Sequence, residues 1–386
     1  MDFDFTHEQA MLRDLAREFF SRESAPQIVR RQMEDPVGFS QQTWQQMADM
    51  GLQGLAIPPE YGGQGLGMIE QALVLEEIGR AAYAGPYFAT AVLAATAIAA
   101  GRDPDQMARW LPDIASGAKK ATLALLDDVV AWQPDAIKLA ARREGSDFVL
   151  SGTKRFVPWA HVADQILIVA RTSEGNGGDG TTVFVIDSSS SGLVLDPNVE
   201  MDHTSKTSTL QLHDVRVSAS NVVGRIDHGW RVVGPVLQRA AVGASAEMLG
   251  AARRCMEMSV EYAKVRQQFG QPIGTFQAIK HACAEMLVEV ENSHGATYYA
   301  AWAIDAAAPD AALAASVAKS YVGEASRKVC GSAIQVHGGI GFTWEYDLHL
   351  YFKQAKFLES LYGDAEYHRD VVMHEVMTPQ AVPVPA

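Results

Sequence analysis

Apolar positions recur at helical spacing through the first third of the chain, alternate through the middle, and return to helical spacing towards the end. Thr6 ahead of Glu8 and Gln9 has the form of a capping box, and Leu12, Leu15, Ala16, Phe19 and Phe20 follow on one helical face. Trp44, Met47 and Ala48 mark another run, which stops between Gly51 and Gly54. Helical spacing resumes over 68–79 and 89–100 and in a short segment before Gly117. The glycine-rich stretch 57–67 tempts a phosphate-loop reading. No strand precedes it and its spacing is not G-x-G-x-x-G, so it reads as a structural turn. From about 120 the period falls to 2, and 122–126, 136–142, 148–151, 165–171, 181–187, 193–195 and 208–217 read as strands. The spacer 173–180 is a hairpin loop. From Trp230 onward, helical patterns near 231–266, 275–306, 310–337 and 345–372 with short connections predict an antiparallel four-helix bundle. The chain therefore reads as a multidomain α+β protein. A helical domain covers 1–118, a β-barrel or sandwich 119–226, a four-helix bundle 227–375, and a loose tail 376–386.

At 386 residues the chain exceeds the size of one small core. A formal net charge of −14 argues against general binding to nucleic acid or anionic membrane, while leaving room for a local basic site. Cys255, Cys283 and Cys330 have no metal-like spacing, and their odd number speaks against a disulfide scaffold. The acidic start has no apolar signal core, and the Ala-rich run 88–100 is too short to span a bilayer. A cytoplasmic protein with no bound metal is expected.

Arg266 ends a long helical pattern and is followed by Gln267-Gln268-Phe269-Gly270-Gln271-Pro272, a turn that exposes backbone and amide groups. A guanidinium fork beside free N–H groups suits a phosphate, although an Arg can equally cap a helix C-terminus. The run 335–342 ends another helix in glycines. These either cap it or let a planar ligand approach, and His337 there reads first as a hydrogen-bonded helix-end histidine.

Several blocks together resemble one family. Phe5-Thr6-x-Glu8-Gln9-x-x-Leu12-Arg13 and Ile57-Pro58-x-Glu60-Tyr61-Gly62-Gly63-x-Gly65-Leu66 are similar to segments of the acyl-CoA dehydrogenase family. So are Arg266-x-x-Phe269-Gly270-x-Pro272-Ile273-x-x-Phe276-Gln277 and Gln335-x-x-Gly338-Gly339-x-Gly341-Phe342. The resemblance runs from residue 3 to about 372 in matching order. It implies an FAD enzyme that removes an α-proton and a β-hydride from an acyl-CoA, with an electron-transfer flavoprotein as acceptor. It implies that Arg266 neutralises the FAD pyrophosphate. Phe269, Gln277, Gln335, Val336, Gly338 and Gly339 would contact the adenine half across a subunit interface, and Phe156 and Pro158 would lie beside the flavin ring.

The chain departs from that pattern at the base. The family's Glu follows a Tyr, but here Tyr362 is followed by Gly363, with Asp364 next. The other family position, early in the first bundle helix, falls on Ala240. Glu247, two turns further along a helix of small apolar residues, is a candidate base, with salt bridging to Arg239 or another Arg as its alternative and Asp364 behind it. Pro158 stands where the family has a hydroxyl-bearing residue. Three readings follow. The first is an active dehydrogenase with a displaced base, for bulky or steroid-derived acyl groups. The second is a non-catalytic partner in a heteromeric enzyme, and the third a flavin monooxygenase-like relative. A homo-oligomer or a heterotetramer with a related chain is expected.

Overall fold

The computed structural model describes residues 4–175 and 177–377. Helix α1 (His7–Glu23) begins on the expected capping box, with Gln9 N donating to Thr6 Oγ1 at 3.2 Å and Thr6 N to Gln9 Oε1 at 3.0 Å. After α2 (Pro26–Glu34) and α3 (Gln41–Asp49), the 57–67 stretch forms the expected turn. A Cβ on Gly63 would meet the Ile57 carbonyl at 2.0 Å, so this glycine serves close backbone packing. Helix α4 (Met68–Arg80) is followed by a π-helical segment, Phe88–Ala94, that continues into α5 (Ala95–Ala100), and α6 (Pro104–Ala115) closes the helical region.

The middle of the chain is one mixed sheet rather than two separate layers. Its strands are β1 (Ala121–Ala124), β2 (Ala140–Glu144), β3 (Asp147–Pro158), β4 (Gln165–Arg171), β5 (Thr181–Asp187), β6 (Leu193–Pro197), β7 (Thr207–Val217) and β8 (Val222–Val223). Their order is β6-β7-β3-β2-β4-β5-β8, with β1 parallel to β4. The inner face closes over Leu150, Ile166, Ile168, Phe184, Leu210 and Leu212. The outer face, with Leu167, Val169, Val183 and Val185, packs on α5, α6 and the next helix. Strand β4 is therefore apolar on both faces and lacks the alternation of a half-exposed strand.

The last region contains α7 (Trp230–Val265), α8 (Gln277–Asp305) and α9 (Ala311–His337). The single helix expected over 345–372 is two helices, α10 (Leu348–Ser360) and α11 (Ala365–Met377). Tyr362 at φ 59 and Gly363 at φ 99 break it, since neither angle fits a right-handed helix. The expected tail thus starts in helix at 376, and its remainder, 378–386, lies outside the described residues. Among the described residues no helix is long and apolar enough to cross a membrane.

Candidate active site

Helices α4 and α7 cross backbone to backbone. A Cβ on Gly79 would meet the Glu247 carbonyl at 1.9 Å, and one on Gly250 would meet the Glu76 carbonyl at 1.9 Å. This crossing holds Glu247 in the interior at 7% exposure. Its side chain lines a cavity to which every region contributes. Tyr83 and Phe88 come from the helical region, Phe156 and Pro158 from β3, and Gln354 and Tyr362 from α10 and the turn after it. Among the described residues Glu247 has neither a hydrogen bond nor an ion pair, so the salt bridge to Arg239 is not formed; the Arg239 guanidinium meets the Met68 sulfur instead, at 3.8 Å. Burial pushes the Glu247 carboxyl up to about 8, and the negative charge of Asp202 adds to the shift. Burial likewise raises the Tyr87 and Tyr362 hydroxyls, with Glu247 adding to both.

The turn that carries Tyr362 is held from beneath. Lys319 of α9, 1% exposed, donates to the carbonyls of Glu359 at 2.9 Å and Gly363 at 2.8 Å. Burial pulls its amine down to about 7, against the opposing pull of Glu359 and Asp364. His368 Nε2 lies 2.9 Å from the Tyr362 carbonyl. The Tyr362 ring stacks on Phe88, with centroids 5.3 Å apart and planes 8° from parallel. Asp364 is exposed and points elsewhere, accepting from Tyr367 N at 2.9 Å as the cap of α11. The structure separates it from the cavity that Glu247 lines.

On the sheet side, Phe156 takes a left-handed φ of 51 and is 42% exposed at the cavity mouth. The Pro158 carbonyl accepts from Thr122 Oγ1 at 2.6 Å, so neither residue offers a donor there. Asp127 and Lys154 form a buried ion pair, and Lys154 also donates to the Leu125 carbonyl at 2.9 Å. Asp127 accepts from Leu139 N at 2.8 Å, which ties down both ends of the 125–139 connection above the cavity.

A second cleft, of about 710 Å3, lies at the far end of the bundle and brings Arg266, Phe269, Val336, Gly338 and Gly339 together. Gly338, at φ 66, and Gly339 have open space where a Cβ would stand, and Phe269 is 91% exposed. Gln277, the first residue of α8, and Gln335 of α9 are exposed nearby in sequence. An exposed guanidinium with no ion pair among the described residues, exposed amides and a glycine floor suit the pyrophosphate and adenine of FAD, and the cavity walls of Phe156, Pro158 and Tyr362 suit its ring. His337 is buried, with Nδ1 2.8 Å from the Ala333 carbonyl and Nε2 3.1 Å from the Tyr346 hydroxyl, as read from the sequence.

The glycine crossing and Lys319 escaped the sequence reading. The signal for Lys319 was the one that drew attention to Glu247: a lone charge among small apolar neighbours, here Ala315, Ala318 and Val322.

Family models of the acyl-CoA dehydrogenase N-terminal, middle and C-terminal domains match residues 6–118, 129–215 and 227–377. The probable acyl-CoA dehydrogenase YngJ of Bacillus subtilis is 30% identical over 98% of this chain and 100% of its own length. The ChsE4–ChsE5 complex of Mycobacterium tuberculosis gives a TM-score of 0.88 at 28% identity, covering 98% of this chain and 100% of that one. The Tcur3481–Tcur3483 steroid acyl-CoA dehydrogenase gives 0.85 at 29% identity, covering 96% and 97%. This chain belongs to the acyl-CoA dehydrogenase family, oxidoreductases that act on acyl-CoA and carry FAD.

Proposed function

We propose that this chain is an acyl-CoA α,β-dehydrogenase whose base is Glu247, working on a bulky acyl group. The observation that carries the reading is a buried carboxyl with no partner among the described residues, facing the cavity where Phe156, Pro158 and Tyr362 converge. An unpaired buried carboxylate is costly, so its retention calls for a use. In its ionised form Glu247 takes the α-proton of the thioester. Desolvation makes that carboxylate a stronger base than one in water. Phe88 and Tyr362, stacked together, form an apolar wall that keeps water from the carboxylate. The chemistry FAD supplies when bound is acceptance of the hydride that leaves the β-carbon. Arg266, Phe269, Gln277, Gln335, Val336, Gly338 and Gly339 would hold its pyrophosphate and adenine.

The bulky-substrate reading rests on likeness to the steroid acyl-CoA dehydrogenase. An electron-transfer flavoprotein as acceptor and a cytoplasmic location complete the proposal. The test is a visible spectrum of the chain purified alone, before and after anaerobic addition of bulky acyl-CoA esters. A flavin band that bleaches in the wild type and persists in Glu247→Gln supports the reading.

A second reading is favoured by one observation, the lack of any donor at Pro158 and Thr122. In it the chain is the non-catalytic member of a heteromeric pair; its structural neighbour ChsE4–ChsE5 is itself a complex of two named chains. A colourless chain that gains flavin only on co-expression with a related chain selects this reading over the first.

A further inference from the structure

A cleft of about 760 Å3 opens on the side of α5 and α7 turned away from Glu247, and it shares no lining residue with the cavity that Glu247 faces. Four arginines reach it. Arg102 follows α5, Arg225 lies in the loop before α7, and Arg231 and Arg239 stand on α7 itself. Most arginines in the helical regions engage carboxylates, as Arg17 does with Glu77 and Arg253 with Glu76. Arg102, Arg225, Arg231 and Arg239 make no ion pair among the described residues. This concentration of free positive charge occurs on a chain of net charge −14.

Arg239 is the informative member. Its side chain is half-buried, yet among the described residues its one polar contact is the Met68 sulfur at 3.8 Å. The acid whose charge reaches it, Asp305, has both oxygens committed elsewhere. Oδ1 accepts from Met68 N at 2.6 Å and Oδ2 from Ile69 N at 3.0 Å. A desolvated guanidinium without a counter-ion is unfavourable, and an anion in the cleft would relieve it. The N-terminus of the 36-residue α7 opens at the same place and adds its positive end. Ala91, Ala95 and Ala99, successive turns of one helical face, also line the cleft and make an apolar wall.

We propose that this cleft is a binding site for an organic phosphate of nucleotide size, separate from the acyl-CoA and FAD sites. Guanidinium forks match phosphate oxygens in pairs, and the alanine wall accepts a flat ring. The volume falls within the range of small-molecule pockets. The inference does not depend on which carboxylate is the base.

The test is calorimetric titration of the FAD-loaded protein with ADP, and with pyrophosphate to separate the phosphate contribution from that of the ring. Saturable ADP binding is expected, weakened at least roughly tenfold in Arg239→Gln and in the surface double variant Arg102→Ala/Arg231→Ala. The double variant keeps the test decisive if Arg239→Gln does not fold. The KM for acyl-CoA should be unchanged in the double variant. Absence of saturable binding, or binding unaltered by the substitutions, overturns the proposal. A KM that rises in step with the loss of ADP binding assigns the cleft to the substrate and also overturns it.

Discussion

Replacing Glu247 by Gln removes the charge and the proton-accepting oxygen while keeping the volume, so it tests the base without opening a cavity. With a carboxyl pushed up to about 8, the ionised fraction is roughly 1% at pH 6 and roughly 90% at pH 9. The rate constant for flavin reduction by acyl-CoA should therefore climb about tenfold for each unit up to pH 7 and level off above pH 8. Glu247→Gln should fall by roughly 10²–10⁴-fold, the range for loss of a general base, and lose that slope. Stability gives a second readout. The unfolded carboxyl ionises near its ordinary value of 4.5, whereas the folded one holds its proton to about 8. Between those limits the native state binds the extra proton, so wild-type stability falls with rising pH, by about 1.4 kcal/mol per unit at most. The variant escapes this loss, and its advantage should grow from pH 4.5 to pH 8 and then stay constant. Stopped-flow reduction and urea titrations at each pH measure both. Full activity in Glu247→Gln, or a rate with no inflection between pH 7 and 9, would refute the assignment.

Further substitutions probe the supports. Gly363→Ala puts a methyl 2.3 Å from the Tyr367 ring at a left-handed φ, so it should lower stability by about 1–3 kcal/mol in urea unfolding. Lys319→Met leaves the Glu359 and Gly363 carbonyls without their buried donor, a loss of about 1–3 kcal/mol to be read in urea unfolding. Gly250→Ala forces α4 and α7 apart and should both destabilise the fold and shift the pH inflection of flavin reduction, because Glu247 moves with the crossing. Arg266→Ala, at an exposed position, should leave the melting temperature of the FAD-free protein within about 2 °C while lowering the flavin-to-protein absorbance ratio after purification.

Periodicity carried most of the architecture, since long amphipathic helices and the β4 and β5 strands have strong local patterns that tertiary context does not override. It failed where backbone geometry breaks a pattern. The 345–372 segment keeps helical spacing through Leu358, Leu361 and Ala365, and only the left-handed pair Tyr362 and Gly363 divides it. Glu247 was legible because a charge among small apolar residues is unusual in any fold. Its lack of a partner was not legible, because that depends on Arg239 pointing across to Met68. The glycines at 79 and 250 were unreadable for the same reason: contact across helices leaves no mark on either helix alone.

The position proposed for the base follows from the turn that lacks one. A side chain at 363 would run into the Tyr367 ring at 2.3 Å and His368 Nε2 at 2.8 Å. The turn cannot shift to make room, because Lys319 fixes the Glu359 and Gly363 carbonyls from below and His368 holds that of Tyr362. A carboxylate facing this cavity must therefore come from another wall. Among the described residues of α7, Glu247 is the one that lines it, and it is acidic. The glycine crossing with α4 then sets its depth, which desolvates it and raises its proton affinity in one step. On this account, restoring the family's residue by Gly363→Glu in a Glu247→Gln background fails to recover flavin reduction. Recovery of that activity would show that the turn is mobile and that the buried carboxyl on α7 has some other purpose.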